Sequence, residues 1–431
     1  MMRTLERDGQ TMKVAVLGAG VAGVAAAYYL WRDGHEVVVL DRQDGAARET
    51  SFGNAGGLCP SFAGPWAAPG MIGKVLKMAL QREAPIRFSF TPNPRKLAWL
   101  ARWMGNCNAE RFRANKLRMQ RVAHYSNACL QALAGSGLPI EFDYHQDGTL
   151  QVFRRESDLK VVAGITQALD EYEVPWKLLD GDEARTLEPA LAGSRAPIAG
   201  ALYLPRDGSG DSHKFATGLT AYLAGQGVKF HYGTQISALI KGADRIQGVR
   251  VDGQKDLFSA DAYVVALGPQ TPFLLRPLGL SLPIYPLKGY SITARIDDPA
   301  RAPRAALMDE YNKVMISRLG DRVRAAGMAE LKGYSLAVDP GRVAFLKNVV
   351  REWFPEGVGI EDAQPWAGLR PMTPDGPAIL GKTRYANLYL NCGHGSNGWT
   401  QACGTGKIVA DIVSGRQPEV DLDGLTAERY A

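Results

Sequence analysis

Gly18, Gly20 and Gly23 form a GxGxxG pattern directly after the apolar run 13–17. The pattern opens a second apolar run, 21–33, of helical period, which stops near Gly34. In such a turn the first glycine lets the chain reverse tightly and the second lets backbone approach a pyrophosphate. The third allows close helix–strand packing, and the helix N-terminus then presents N–H groups and a partial positive charge. Asp41 ends the next strand-like run, 36–40, where a carboxylate accepts from a ribose 2′-hydroxyl and disfavours a 2′-phosphate. This β-α-β pattern predicts a dinucleotide site, and FAD and NAD share it. The residues expected at the dinucleotide are Val16, Leu17, Gly18, Ala19, Gly20, Val21, Ala22 and Gly23, then Asp41 and Arg42.

Two further glycine-rich stretches are suited to covering a flavin ring. SFGNAGG at 51–57 supplies Ser51, Asn54, Ala55, Gly56 and Gly57, and GHGSNGWT at 393–400 supplies Gly395, Ser396, Asn397, Gly398, Trp399 and Thr400. The second stretch precedes the last helical run, so it aims a helix N-terminus at whatever its loop holds. A positive dipole end there favours an anionic reduced ring. His394 stands where GxSxG would need its first glycine, so hydrolase chemistry has no support. The five cysteines form no CxxC pair and the six histidines no HExxH, which points to a reducing, metal-free, cytoplasmic protein.

The elements that would position these loops alternate. Strand–helix–strand opens the chain, and a helix at 214–226 with Asp211 or Ser212 as its cap leads to a strand at 228–232. A strand at 261–267 ends at Gly268, and a strand at 388–391 leads to a helix closing near Gly415. Between them, 71–135 reads as helices, 149–153 and 201–204 as short strands, and 287–326 as an antiparallel sheet. The fold class expected is α/β: a discontinuous Rossmann-like FAD-binding domain and a substrate domain with a mixed or antiparallel sheet and helices. Residues 1–11 read as a flexible tail. Segments 12–90, 200–285 and 365–431 are assigned to the FAD-binding domain, and 91–199 and 286–364 to the substrate-binding domain. The 18 uncharged residues 14–31 are long enough for a short membrane span, but their three glycines and flanks fit strand–turn–helix better.

Charge is unevenly placed. Against a formal net charge of +6, the stretch 70–121 holds twelve basic residues and two acidic ones, which leaves the remaining 379 residues at −4. That localisation argues against nucleic acid as a partner. Within it, Leu97, Leu100 and Met104 share a helical face, with Trp99 and Trp103 nearby and Arg95, Lys96 and Arg102 flanking. Two readings stand: helices packed on the substrate domain with a solvated basic face, or a basic amphipathic helix on an anionic inner-membrane surface.

Six motifs in order carry a resemblance. GAGVAG with Asp41, TSFGNAGG at 50–57, PWAAPG at 65–70, YPLKGY at 285–290, GLRPMTPDG at 368–376 and GHGSNGWT at 393–400 together resemble the small subunit of bacterial D-amino acid dehydrogenases, in the glycine oxidase/D-amino acid oxidase group of flavoproteins. The resemblance covers 13 to about 415. It implies non-covalent FAD, a D-amino acid as substrate, and oxidation to the 2-oxo acid and ammonia by hydride transfer from Cα to flavin N5. Electrons would pass to a quinone or other respiratory acceptor; an oxygen-using oxidase of glycine, sarcosine or D-amino acids is the alternative. Related sarcosine oxidases tether flavin through a cysteine in the segment matching 368–376, which has none here. Arg370 matches the position that clamps the substrate carboxylate, for which a guanidinium fork is suited. Tyr290 and Tyr311 are candidates to line the pocket or polarise the amine, with core packing the equal alternative for each. For His394 a hydrogen bond to the flavin and a structural role stand side by side. Ile236 is expected to offer a backbone contact to adenine, and Gly268 joins the cofactor set.

Overall fold

The computed structural model describes residues 11–79, 86–88, 93–171 and 173–431. Residues 1–10 of the expected 1–11 tail and the charges Arg82 and Glu83 lie outside the described residues.

Valine-rich runs without alternation belong in a sheet covered on both faces. Lys13–Leu17 and Glu36–Leu40 are such runs, and they pair in parallel near the middle of a six-stranded sheet. The strand order is 379–382, 388–392, 262–265, 13–17, 36–40, 229–231, parallel except for the first pair. The helices Val21–Arg32, Ser212–Gly225 and Gly398–Val413 pack with one face of this sheet, and their apolar sides form one core. Asp211 caps the second of them, accepting from the N–H groups of His213 (2.9 Å) and Lys214 (3.2 Å). The opposite face is covered by the hairpin Ile236–Lys241/Ile246–Val251 and the short helix Thr271–Leu275.

The second sheet has nine strands. From its edge run Val358–Met372, Tyr285–Ile296, Arg322–Leu331, Val314–Leu319, Ala306–Asp309, Thr149–Phe153, Gly200–Leu204 and Lys177–Leu179, with Ile86–Phe88 also pairing Arg322–Leu331. Most pairs are antiparallel, but Thr149–Phe153 lies parallel to Ala306–Asp309, so the sheet is mixed. Helix Pro340–Trp353 covers one face of the central strands, burying Leu346, Val349, Val350 and Trp353 against it.

Three elements differ from their expected placement. Gly200–Leu204, grouped by sequence with the nucleotide segments, pairs Thr149–Phe153 and Lys177–Leu179 in the nine-stranded sheet. Val358–Met372 runs through the boundary drawn at 365, because it pairs Tyr285–Ile296 on both sides of it, with one irregularity between Gly359 and Gln364. Helix Ala109–Ala134 packs on Gly398–Val413, sending Val122, Cys129, Leu130 and Leu133 into the nucleotide-side core. Its apolar spacing marks a helix but not which sheet it serves.

The basic stretch is also more structural than its charge suggests. Trp99 and Trp103 are buried, with Trp99 Nε1 donating to the Met372 carbonyl at 2.9 Å, and Lys96 is buried as well. Arg118, Arg121 and Arg113 are met by Asp423, Asp421 and Glu171. Leu97 and Met104 remain exposed.

Candidate active site

Between the two sheets lies a cavity of about 670 Å³. At one end is the turn 18–23. Gly18 has φ +111°, and a Cβ there would stand 2.5 Å from the Ala266 carbonyl oxygen; a Cβ on Gly23 would stand 2.0 Å from the Gly18 oxygen. Both glycines are therefore required by the chain itself. Gly20 differs: a Cβ there would meet only Ser51 Oγ, at 3.6 Å, in space that opens on the cavity. Among the described residues nothing fills that cradle, which is what a backbone approaching a bound phosphate requires. Helix Val21–Arg32 begins there with no acid in its first turn and with Gly20, which has no side chain to bond it, at its cap.

Asp41 lines the same end. Its Oδ2 accepts from the Ala19 N–H at 2.6 Å and Oδ1 from Gln43 N–H at 2.8 Å, and burial raises its pKa. Each carboxylate oxygen keeps a second lone pair for a ribose hydroxyl. Arg42 lines the cavity with its Nε on Glu49 at 2.6 Å, and Gln43 Nε2 donates to the same oxygen at 2.8 Å. Ile236 and Gly268 border the cavity, and Thr234, Gln235 and Gln43, unforeseen from sequence, border it with them. Val16, Leu17, Ala19 and Gly23 do not line it; they form the strand and turn behind its wall.

The loop 51–57 is held by its own polar atoms. Ser51 Oγ accepts from the Val21 N–H at 3.1 Å, the Ser51 carbonyl accepts from Ser212 Oγ, and Asn54 bridges Ser212 Oγ and the Gly56 N–H. The loop's glycines are pressed by the large sheet: a Cβ on Gly53 would lie 2.5 Å from the Trp366 ring, and one on Gly57 2.7 Å from Met315 Cε. From the other side, helix Gly398–Val413 begins at the cavity, again without side-chain cap or acid in its first turn. Gly395, Ser396, Asn397, Gly398, Trp399 and Thr400 all border it. Trp399 Nε1 is spent on the Gly210 carbonyl (2.9 Å), and Thr400 Oγ1 accepts from the Cys59 N–H (3.2 Å).

His394 ties this loop to its helix rather than offering a titrating group. Its Nε2 meets Thr405 Oγ1 at 3.1 Å, and burial lowers its pKa to about 4, so the ring is neutral. Asn391, unforeseen from sequence, gives Nδ2 to the Ala22 carbonyl at 3.1 Å, while its buried Oδ1 has no partner and the residue borders the cavity. An orphan acceptor, an unfilled glycine cradle and two helix N-termini that begin at the cavity with no acid in their first turns fit a bound dinucleotide.

At the substrate end, Arg370 enters from the long strand 358–372. Its guanidinium lies over Gly289, where a Cβ would be 2.3 Å from Nη1. Nη1 donates to the Met328 carbonyl at 2.9 Å. Burial alone lowers its pKa, to about 10, with no carboxylate against it among the described residues. Tyr290 borders the cavity, but its ring sits in the core under helix Pro340–Trp353 and its hydroxyl donates to Glu330 at 2.7 Å. Glu330 also pairs Lys332 and Arg342, which keeps its carboxyl below the usual range. Tyr311 is half exposed, 4.5 Å beneath the Arg155 guanidinium, and does not line the cavity. Strand pleat accounts for Tyr290: alternate residues face opposite sides of the sheet. Cys392 lies fully buried behind the wall, so no cysteine of the 368–376 segment or its neighbour reaches the cavity.

A mostly parallel nucleotide-type sheet joined through one cavity to a large antiparallel-rich sheet is the architecture of a flavin-type oxidoreductase. The chain belongs to the family described as FAD dependent oxidoreductase, which it matches over residues 13–412. It is 49% identical to the D-amino acid dehydrogenase of Rhizorhabdus wittichii over 419 residues, 97% of this chain and all of that protein. A second relative of that name, from Methylobacterium nodulans, is 49% identical over 97% of this chain and 99% of its own. Among solved structures, the glycine oxidase of Geobacillus kaustophilus is similar with TM-score 0.77 at 23% identity, covering 98% of this chain and all of that one.

Proposed function

We propose that this protein is an FAD-dependent dehydrogenase that oxidises D-amino acids to 2-oxo acids and ammonia and passes the electrons to a quinone or similar acceptor. The observation that carries the reading is the buried Arg370 guanidinium at the cavity, which among the described residues meets the Met328 carbonyl and no carboxylate. FAD, when bound, supplies the two-electron acceptor for the Cα hydride, leaving an imine that water hydrolyses. The residues that would hold it are the turn 18–23, Asp41, the loop 51–57, Asn391 and the N-terminus of helix Gly398–Val413.

The chain's own part is placement. Arg370 fixes the carboxylate through its N–H groups, and the Met328 carbonyl fixes Arg370. No described side chain at the cavity is placed as a general base near Arg370, which suits a reaction needing orientation and a neutral amine. The D-configuration and the preference for a respiratory acceptor rest on likeness to the named dehydrogenases.

The acceptor side of this proposal includes an anionic membrane surface. Among the described residues no helix is long and apolar enough to cross a membrane. Exposed Ile72, Leu97, Met104 and Phe273 stand with exposed Lys74, Arg95 and Arg102, a combination suited to a lipid headgroup layer. Anaerobic bleaching of the flavin by a panel of D- and L-amino acids tests the activity: bleaching by L-isomers alone overturns it. Peroxide yield against dye reduction separates oxidase from dehydrogenase, and co-sedimentation with anionic liposomes at low and high salt tests the surface.

A further inference from the structure

Resting on that reading, we infer that Met308 and Met315, with Cys59 and Phe62, form the chamber for the substrate's side chain, and that it selects unbranched apolar side chains of three or four heavy atoms. The argument starts from the sheet register. Arg370 lies over Gly289 and bonds Met328, so its guanidinium stands above the strands Tyr285–Ile296 and Arg322–Leu331. The next strands in order are Val314–Leu319 and Ala306–Asp309, each about 4.8 Å further on.

Along this row the floor is low. Gly327 pairs Val314, and Ala326 pairs Met315, which in turn pairs Met308; Ala326, Gly327, Met315 and Met308 all border the cavity. Ala326 is the small residue on the cavity face of this row and leaves room between the arginine and the methionines, whereas Gly327 matches Tyr290 and Val314 on the core face. A carboxylate on Arg370 then sits over the Arg322–Leu331 strand, and one to two strand spacings, about 5–10 Å, separate it from the thioethers. Four bonds of ~1.5 Å reach about 5–6 Å, as far as the nearer thioether on Val314–Leu319, and the Met308 side chain closes the chamber beyond it.

The chamber's chemistry is apolar and adaptable. Met315 and Cys59 are buried, and Met308 and Phe62 are partly open and packed against them. Cys59 Sγ meets Thr149 Oγ1 at 3.5 Å, and burial keeps its thiol protonated. Methionine side chains repack around different apolar guests at little cost. A carboxylate among these groups would lose its hydration without a partner, so acidic side chains are excluded. Lys313, at the far end, is already bonded to Glu310.

The test uses the FAD-loaded enzyme with a dye acceptor and D-alanine, D-norvaline, D-norleucine and D-aspartate. Each added methylene raises kcat/KM by about four-fold up to norleucine, and D-aspartate falls below D-alanine. In Met308→Trp, which fills the chamber, the norleucine-to-alanine ratio drops at least tenfold at normal flavin content. A flat series in the parent enzyme, or equal losses for both substrates in the variant, overturns the inference. A second readout is independent of turnover: dissociation constants of propionate through hexanoate, read from flavin absorbance, tighten with length in the parent and not in Met308→Trp. Should no D-amino acid reduce the flavin, the proposed activity fails while the carboxylate series still decides the chamber, a flat series overturning it.

Discussion

Arg370 Nη1 donates to the carbonyl of Met328 across 2.9 Å, and Met328 holds that carbonyl in place from a left-handed conformation, φ +65°. The conformation falls where the pairing between Tyr285–Ile296 and Arg322–Leu331 slips between Lys288 and Tyr290. A bulge of this kind re-aims a carbonyl that a regular ladder would consume. A left-handed non-glycine costs about 1–2 kcal/mol, and here its product is a fixed cation at the cavity.

Replacing Arg370 by Ala removes that cation. The expected result is a loss of about 3 kcal/mol in carboxylate binding, roughly 100-fold in kcat/KM carried by KM, with flavin content unchanged. Arg370→Lys recovers part of it, since one ammonium replaces a two-pronged fork. Steady-state kinetics with a flavin absorbance ratio decide the point, and an unchanged KM would exclude the clamp.

The same guanidinium sets a pH limit. Burial brings its pKa down to about 10, and the protonated form is the one that binds a carboxylate. Binding is therefore complete below that value and fades as pH rises through it. Substrate KM measured from pH 8 to 11 should climb near 10 in the parent and stay level in Arg370→Ala.

Gly20 and Gly23 are predicted to fail differently. Gly23→Ala drives a methyl into the Gly18 carbonyl and should unfold the nucleotide-side sheet. Gly20→Ala meets only Ser51 Oγ at 3.6 Å, so the FAD-free protein should melt within about 0.5 kcal/mol of the parent. Added FAD should then stabilise it far less than the roughly 4 kcal/mol expected for the parent at a thousand-fold excess over Kd. Thermal melts with and without FAD separate the two roles.

Asp207 is fully buried, accepts from Ser61 N–H and Oγ (3.2 and 2.7 Å), and has a second oxygen without a partner. Burial raises its pKa to about 7. A raised carboxyl favours folding below its unfolded pKa, near 4, and that contribution is lost as pH rises through 7. Asp207→Asn, neutral throughout, should match the parent at pH 4 and exceed it at pH 8 by up to about 4 kcal/mol. Melting curves at those two pH values give the comparison.

Much of the nucleotide side was readable because its signals are local. A glycine pattern, an apolar strand before it and an acid at the end of the next strand all fall within thirty residues, and each has one physical reading. The loops 51–57 and 393–400 were legible for the same cause, since positive-φ glycines and uncapped helix starts are written in consecutive residues. The substrate side was not. Met308, Met315, Trp366 and Asn391 are ordinary core types whose place at the cavity depends on pairing across the nine-stranded sheet. Tyr290 and Tyr311 show the converse: residue type suggested chemistry, but pleat turned one into the core beneath Pro340–Trp353 and the other stands outside under Arg155. Trp99 and Trp103 read equally well as lipid anchors or core, and only the Met372 contact decided for the core.

The six-stranded sheet interleaves strands from residues 13–17, 262–265 and 388–392 side by side. During synthesis the glycine turn therefore leaves the ribosome long before the strand and helix that complete its cavity. Cofactor capture is a late, whole-chain event, and a chain stopped before residue 388 would keep its fingerprint yet have nowhere to hold FAD.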